Sequence, residues 1–165
     1  MNIASHTRLA FTATTHSPED TMRLGQRIGS LLEPGDVIAL FGSLGSGKTT
    51  LVKGIGLGLG MKDSREVRSA SFLIIAEYKA RIPIYHFDAY RLDGPEDMYN
   101  LGCDELFWGD GVSIVEWADR VEGSLPEEYL EVSLSIESPN SRRVEVSSHG
   151  KRYERIVRGL EGKGP

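Results

Sequence analysis

A chain of 165 residues with 39% hydrophobic and 26% charged side chains has the size and composition of one globular domain. No apolar run approaches the ~20 residues a membrane-spanning helix needs, and a net charge of −5 excludes a broad basic surface for gripping nucleic acid. The charge is divided, with 12 basic and 21 acidic side chains in residues 1–140 against 7 and 3 in residues 141–165, so the tail is the only stretch suited to a polyanion. Residues 1–15 carry neither a basic-then-apolar leader nor an Arg-rich, Ser-rich transit pattern, and the single cysteine, Cys103, cannot form an internal disulfide. The expectation is a cytoplasmic chain whose mature form starts at Met1.

In chain order, Ser17-Pro18-Glu19-Asp20 reads as a helix start: a capping hydroxyl, proline at the first helical position, then carboxylates favoured by the helix dipole. Leu24, Ile28, Leu31 and Leu32 follow at helical spacing and form one buried stripe before Pro34-Gly35 stops the helix. Val37 to Phe41 is apolar at every position, the pattern of a central strand covered on both faces. A glycine-rich loop follows, then a helix over Thr49 to Leu59 interrupted by Gly54, Gly56 and Gly58, each costing about 1 kcal/mol relative to alanine. Close packing on the sheet is expected to explain one or two of these glycines, and a surface for a partner's backbone the rest. Further strands are predicted over 72–78, 82–87, 112–116, 129–136 and 143–146. A helix opens at Asp93-Gly94-Pro95-Glu96-Asp97 and closes at Gly102, and Gly109-Asp110-Gly111 turns the chain back. The fold class that follows is α/β: a single P-loop NTPase-like domain over 1–165, its mixed sheet a parallel core extended by antiparallel strands and flanked by helices. Residues 141–165 form its basic C-terminal hairpin and helix, or tail.

The loop Gly42-Ser43-Leu44-Gly45-Ser46-Gly47-Lys48-Thr49 fits G-x-x-x-x-G-K-[ST] at every fixed position. It leaves an apolar strand and enters a helix, where backbone N–H groups and the helix start converge on phosphate. Glycines let the backbone wrap an anion, Lys48 reaches the β- and γ-phosphates, and the Thr49 hydroxyl, followed by Thr50, ligates magnesium. ATP and Mg2+ are the ligands this pattern calls for.

Two strands end in acids. One is Ile82 to Asp88, and the other is Val112 to Glu116. Ligands of open α/β sheets gather beyond the carboxyl ends of strands, so both carboxylates are placed to face the phosphate pocket, one on the metal and one on the attacking water. His86, one residue from Asp88, reads as a hydrogen-bonded strand histidine or a proton-transfer group, and Arg91 as an ion-pair partner or a transition-state cation. Trp117 reads as core or partner surface and Cys103 as a small buried residue.

The order of these motifs resembles the bacterial TsaE family, the ATPase of tRNA threonylcarbamoyladenosine synthesis. The matching parts are the P-loop with Thr49-Thr50, Ser69-Ala70-Ser71-Phe72 with Glu77-Tyr78, His86-Phe87-Asp88-Ala89-Tyr90-Arg91-Leu92, Leu101-Gly102 with Glu105, and Glu116-Trp117. The resemblance implies a weak ATPase that joins the TsaD and TsaB proteins and resets their complex between rounds of modification. It implies phosphate and magnesium binding at Lys48 and Thr49, magnesium ligation by Glu116, support of hydrolysis by Asp88, and an approach of the nucleotide base to Ser17. Contact with tRNA would be indirect or through the basic tail, with no membrane involved. Ser43 stands where an acidic or amide residue is usual, Ser69-Ala70-Ser71 where Ser-Pro-Thr is usual, and Ala118 where proline is common.

Read from the residues alone, three other classes fit a P-loop of this size. A small-molecule kinase needs an acceptor pocket and an arginine-bearing lid, and 91–111 reads as one short helix plus turns. A GTPase switch needs an N-K-x-D motif, which the chain lacks. A non-hydrolysing adaptor would leave Asp88 and Glu116 without chemistry.

Overall fold

The five-residue apolar run Val37–Phe41 forms β2, the middle strand of a seven-stranded sheet, with four of its residues buried. A strand so placed must be apolar on both faces. The sequence pattern and the position in the fold agree. The structure, a computed structural model, describes residues 8–68 and 74–162. Its elements are β1 (Ala10–Thr15), α1 (Pro18–Ser30), β2, α2 (Lys48–Gly58), β3 (Ile75–Tyr78), β4 (Ile84–Asp88), α3 (Pro95–Asn100), α4 (Cys103–Phe107), β5 (Val112–Glu116), β6 (Tyr129–Ser138), β7 (Ser141–His149) and α5 (Lys151–Gly162).

The strand order is β1-β7-β6-β2-β5-β4-β3. Pairings β6–β2, β2–β5 and β5–β4 are parallel, while β1–β7, β7–β6 and β4–β3 are antiparallel. A parallel core extended on both sides by antiparallel strands is the expected α/β architecture. Strand alternation divides the interior in two. Ile38, Leu40, Ile84 and Ile114 face α1, α2 and α5 in one core, and Val37, Ala39, Phe87 and Val115 face Met98 of α3 and Phe107 of α4 in the other.

The helical glycines have a different cause from the one expected. A Cβ on Gly25 of α1 would lie 2.5 Å from the Leu51 carbonyl oxygen and 2.9 Å from the Gly54 Cα, while one on Gly54 or Gly58 would run into the carbonyl of Met22 or Gln26. Gly25, Gly29, Gly54 and Gly58 thus line a seam on which two helix backbones meet. Gly56 instead makes room for Met61. None of the three α2 glycines is held back for a partner.

Several boundaries differ from expectation. Helix α1 ends at Ser30, with Leu31 as its cap, before Pro34-Gly35 is reached. The strand expected over 72–78 is seen from Ile75, residues 72 and 73 lying outside the described residues. The region 91–111 holds two helices, not one, because Gly102 ends α3 and, at φ +78°, starts the five-residue α4. The alternating edge strand β1 was not foreseen. The basic tail is structured: α5 buries Tyr153, Ile156, Val157 and Leu160, and its Arg152 donates from Nε to Asp36 Oδ1 at 2.7 Å. Arg155 lies 3.5 Å from Glu33. Two of the tail's cations are therefore turned onto acids of the loop before β2. Burial pushes the Tyr153 hydroxyl up to about 12, and its oxygen accepts the Val37 N–H at 2.8 Å, tying α5 to that strand. Among the described residues no helix is long and apolar enough to cross a membrane.

Candidate functional site

The loop after β2 has positive φ at Gly42 (+155°), Gly45 (+79°) and Gly47 (+102°), a conformation that strains any side chain. A Cβ on Gly45 would meet nothing within 4 Å, so this part of the loop borders open space. Helix α2 starts on Gly47 with no side-chain cap and no acid in its first turn. Its first amides and its positive dipole end are thus left without an internal counter-charge. Lys48, 5% exposed, donates to the carbonyls of Gly42 (2.5 Å) and Ser43 (3.0 Å) and lies 3.9 Å from the centre of the Trp117 ring. Burial holds the Lys48 ammonium below the usual lysine range, against the pull of Glu116, Asp119 and Asp88. Ser46 is buried, and its hydroxyl is without a hydrogen-bond partner among the described residues.

The two strand-end acids come together because β4 and β5 are parallel neighbours in a register that pairs Asp88 with Glu116. Thr49 Oγ1 donates to Glu116 Oε1 at 3.0 Å, joining the start of α2 to the end of β5. His86 Nε2 lies 2.6 Å from Glu116 Oε2, and the Tyr78 hydroxyl 3.1 Å from His86 Nδ1. Of the two readings of His86, the hydrogen-bonded one describes its surroundings. Asp88 Oδ1 accepts the Tyr90 N–H at 3.0 Å, and burial, with Glu116 adding to it, raises its carboxyl above the usual range. Asp88, Glu116 and Trp117 line a cleft of about 250 Å³ with the loop residues Leu44 to Thr50.

A second cleft, of about 190 Å³, opens on the other side of the loop between Ser17, Thr21, Gly45, Gly47, Thr50, Pro139, Asn140 and Arg142. Ser17 is therefore near the loop, but its hydroxyl is already engaged, accepting the Asp20 N–H at 3.1 Å as the α1 cap. Ser43 and Leu44 project outward, Leu44 at 81% exposure. Ser69-Ala70-Ser71-Phe72 lies outside the described residues.

Three contributors were not read beforehand as site residues: Arg142 was not singled out, Trp117 was read as core or partner surface, and Tyr78 stood only in a matching motif. Arg142, the second residue of β7, donates to the Gly45 carbonyl at 3.1 Å across 97 residues of sequence. Trp117 takes φ +57° and lays its ring beside Lys48. Tyr78 completes the hydrogen-bond chain to Glu116. For His86 the strand period was a further signal: residues i and i+2 of a strand share a face, so His86 had to look the same way as Asp88.

The site suits a magnesium nucleotide in the chemistry of its donors. Among the described residues no group of three or more His, Cys, Asp or Glu is arranged to hold a metal. One hydroxyl and one carboxylate, with phosphate oxygens and water completing the shell, is a set magnesium accepts.

A family model described as threonylcarbamoyl adenosine biosynthesis protein TsaE matches residues 15–144. The chain is 41% identical over 133 residues to the tRNA threonylcarbamoyladenosine biosynthesis protein TsaE of Treponema pallidum (strain Nichols), covering 81% of this chain and 97% of that one. It is 40% identical over 147 residues to the protein of the same name from Bacillus subtilis (strain 168), covering 88% and 90%. Its fold matches the crystal structure of Bacillus subtilis YdiB with a TM-score of 0.80 at 35% identity, covering 96% of this chain and 98% of that one.

Proposed function

The chain belongs to the TsaE family, whose role is tRNA threonylcarbamoyladenosine biosynthesis, and on that premise we propose that it is a magnesium-dependent ATP-binding protein and weak ATPase acting with the TsaD and TsaB proteins. The observation that carries this reading is the 3.0 Å bond between Thr49 and Glu116, which sets the loop hydroxyl beside a strand-end carboxylate at the mouth of an uncapped helix.

Each residue then has a task. The amides of Gly45 and of Gly47 to Thr50 and the α2 dipole bind the β- and γ-phosphates. Lys48 exchanges the Gly42 and Ser43 carbonyls for phosphate oxygens, a small movement for an ammonium already aimed at the loop. Thr49 and Glu116 hold magnesium, which when bound neutralises phosphate charge and orients the γ-phosphoryl group. Asp88 orients the attacking water, and the burial that raises its proton affinity suits it to accept that hydrogen bond. The cleft between Ser17, Asn140 and Arg142 receives the base and ribose.

The test is a pull-down with the TsaD and TsaB proteins, with and without ATP, followed by an ATPase assay. The expected result is nucleotide-dependent association and an activity that is negligible alone and stimulated by the pair. Robust phosphate transfer from ATP to a metabolite with no partner present would instead make the chain a small-molecule kinase.

A further inference from the structure

A glutamate that must serve a metal has to present one oxygen in a fixed direction, and a free Glu side chain has three rotatable bonds with which to miss it. Glu116 is 2% exposed, and its two oxygens have separate duties. Oε2 is 2.6 Å from His86 Nε2, and Oε1 faces Thr49 at 3.0 Å.

His86 is fully buried on the face of the sheet that α2 covers, with Ile84 two residues before it and Ile114 as its register partner on β5. A buried imidazole in such surroundings needs partners for both nitrogens. Tyr78, 8% exposed and on the neighbouring strand β3, supplies the second at 3.1 Å. The arrangement that suits a carboxylate acceptor has the Tyr78 O–H donating to His86 Nδ1 and the His86 Nε2–H donating to Glu116 Oε2. The chain runs in one direction and ends on the carboxylate, with Thr49 donating to the oxygen that His86 leaves open.

We propose that His86 and Tyr78 are positioning residues for magnesium. By holding Glu116 Oε2 they fix Oε1 toward Thr49 before the metal arrives. This rests on the reading that Thr49 and Glu116 hold the ion, and it assigns work to two residues that do not touch it. Partners of this kind, which orient a metal-ligating group, change metal affinity about 10- to 100-fold when removed.

The experiment measures ATP affinity by calorimetry across a magnesium series and in EDTA, for the wild-type chain and for Tyr78→Phe, His86→Ala and His86→Gln. The magnesium concentration at half-effect is expected to rise about 10- to 100-fold in His86→Ala and less in Tyr78→Phe, which keeps the ring and loses only the hydroxyl. Affinity in EDTA should stay within about twofold, and His86→Gln, whose amide nitrogen can take the place of Nε2, should recover most of the loss. Nitrogen-15 spectra of the free protein should show His86 protonated at Nε2 and accepting at Nδ1. If His86→Ala does not fold, Tyr78→Phe and the spectra still decide. Equal magnesium dependence in Tyr78→Phe and wild type, or equal losses with and without metal, would overturn the positioning role. A wild-type chain that shows no magnesium-dependent ATP binding would instead overturn the nucleotide reading itself.

Discussion

Helices α1 and α2 lie against each other along a seam of glycines, yet their amino-terminal ends are treated in opposite ways. At the start of α1 the chain satisfies itself: Ser17 accepts the Asp20 N–H at 3.1 Å, the Asp20 carboxylate accepts the His16 N–H at 3.0 Å, and Glu19 and Asp20 face the dipole. At the start of α2 there is a glycine cap, no acid, and a lysine and two threonines. The same physics, orphan amides with a partial positive charge, stabilises the fold at one end and is held in reserve for an anion at the other.

The largest break in that contrast is expected from Lys48→Ala, which removes the one cation buried in the loop. Losing one partner of a buried charge pair costs about 3–5 kcal/mol, so ATP affinity should fall about 100-fold or more by calorimetry. Next, Asp88→Asn should lower hydrolysis about 100-fold in a phosphate-release assay while ATP affinity changes little. Because burial raises the Asp88 carboxyl above its unfolded value, the charged form destabilises the folded chain above that raised value, and the penalty fades as pH falls through it. Asn keeps the acceptor for Tyr90 without the charge, so the Tm of the free variant at neutral pH should rise. A third substitution, Thr50→Asp, would give α2 the acid at the third helical position that Asp20 gives α1. It should stabilise the free protein by about 0.3–1 kcal/mol in urea unfolding and weaken ATP binding roughly tenfold, the two effects having one cause. Smallest is Ser17→Ala, which removes the α1 cap and should cost about 1 kcal/mol of stability.

Both helix starts were readable in the sequence because their signals are local. Ser-Pro-Glu-Asp and Gly-Lys-Thr each lie within one turn of the backbone they govern. Strand β2 was readable too, since burial on both faces leaves no polar position in Val37–Phe41. Asp88 and Glu116 could be read as strand-end acids, but their pairing depends on a parallel register between strands 28 residues apart. The Tyr78–His86–Glu116 chain and the grip of Arg142 on Gly45 are tertiary and leave no local pattern. Gly54 and Gly58 of α2 misled for the same reason, because their partners Gly25 and Gly29 sit on another helix. Strand β1 was hidden by its place at the sheet edge, where Ala10–Thr15 alternates mostly threonine and alanine and lacks a strong apolar run.

The contrast between the two helix starts is tested most directly by titrating magnesium ATP into nitrogen-15-labelled protein and following the backbone amides. Donation to phosphate by the amides of Gly45 and of Gly47 to Thr50 should move them far downfield at saturation, and the Asp20 amide, already bonded to Ser17, should keep its bond and its protection from exchange. Amides of Gly45 and of Gly47 to Thr50 that stay in place at saturating ATP would contradict the account.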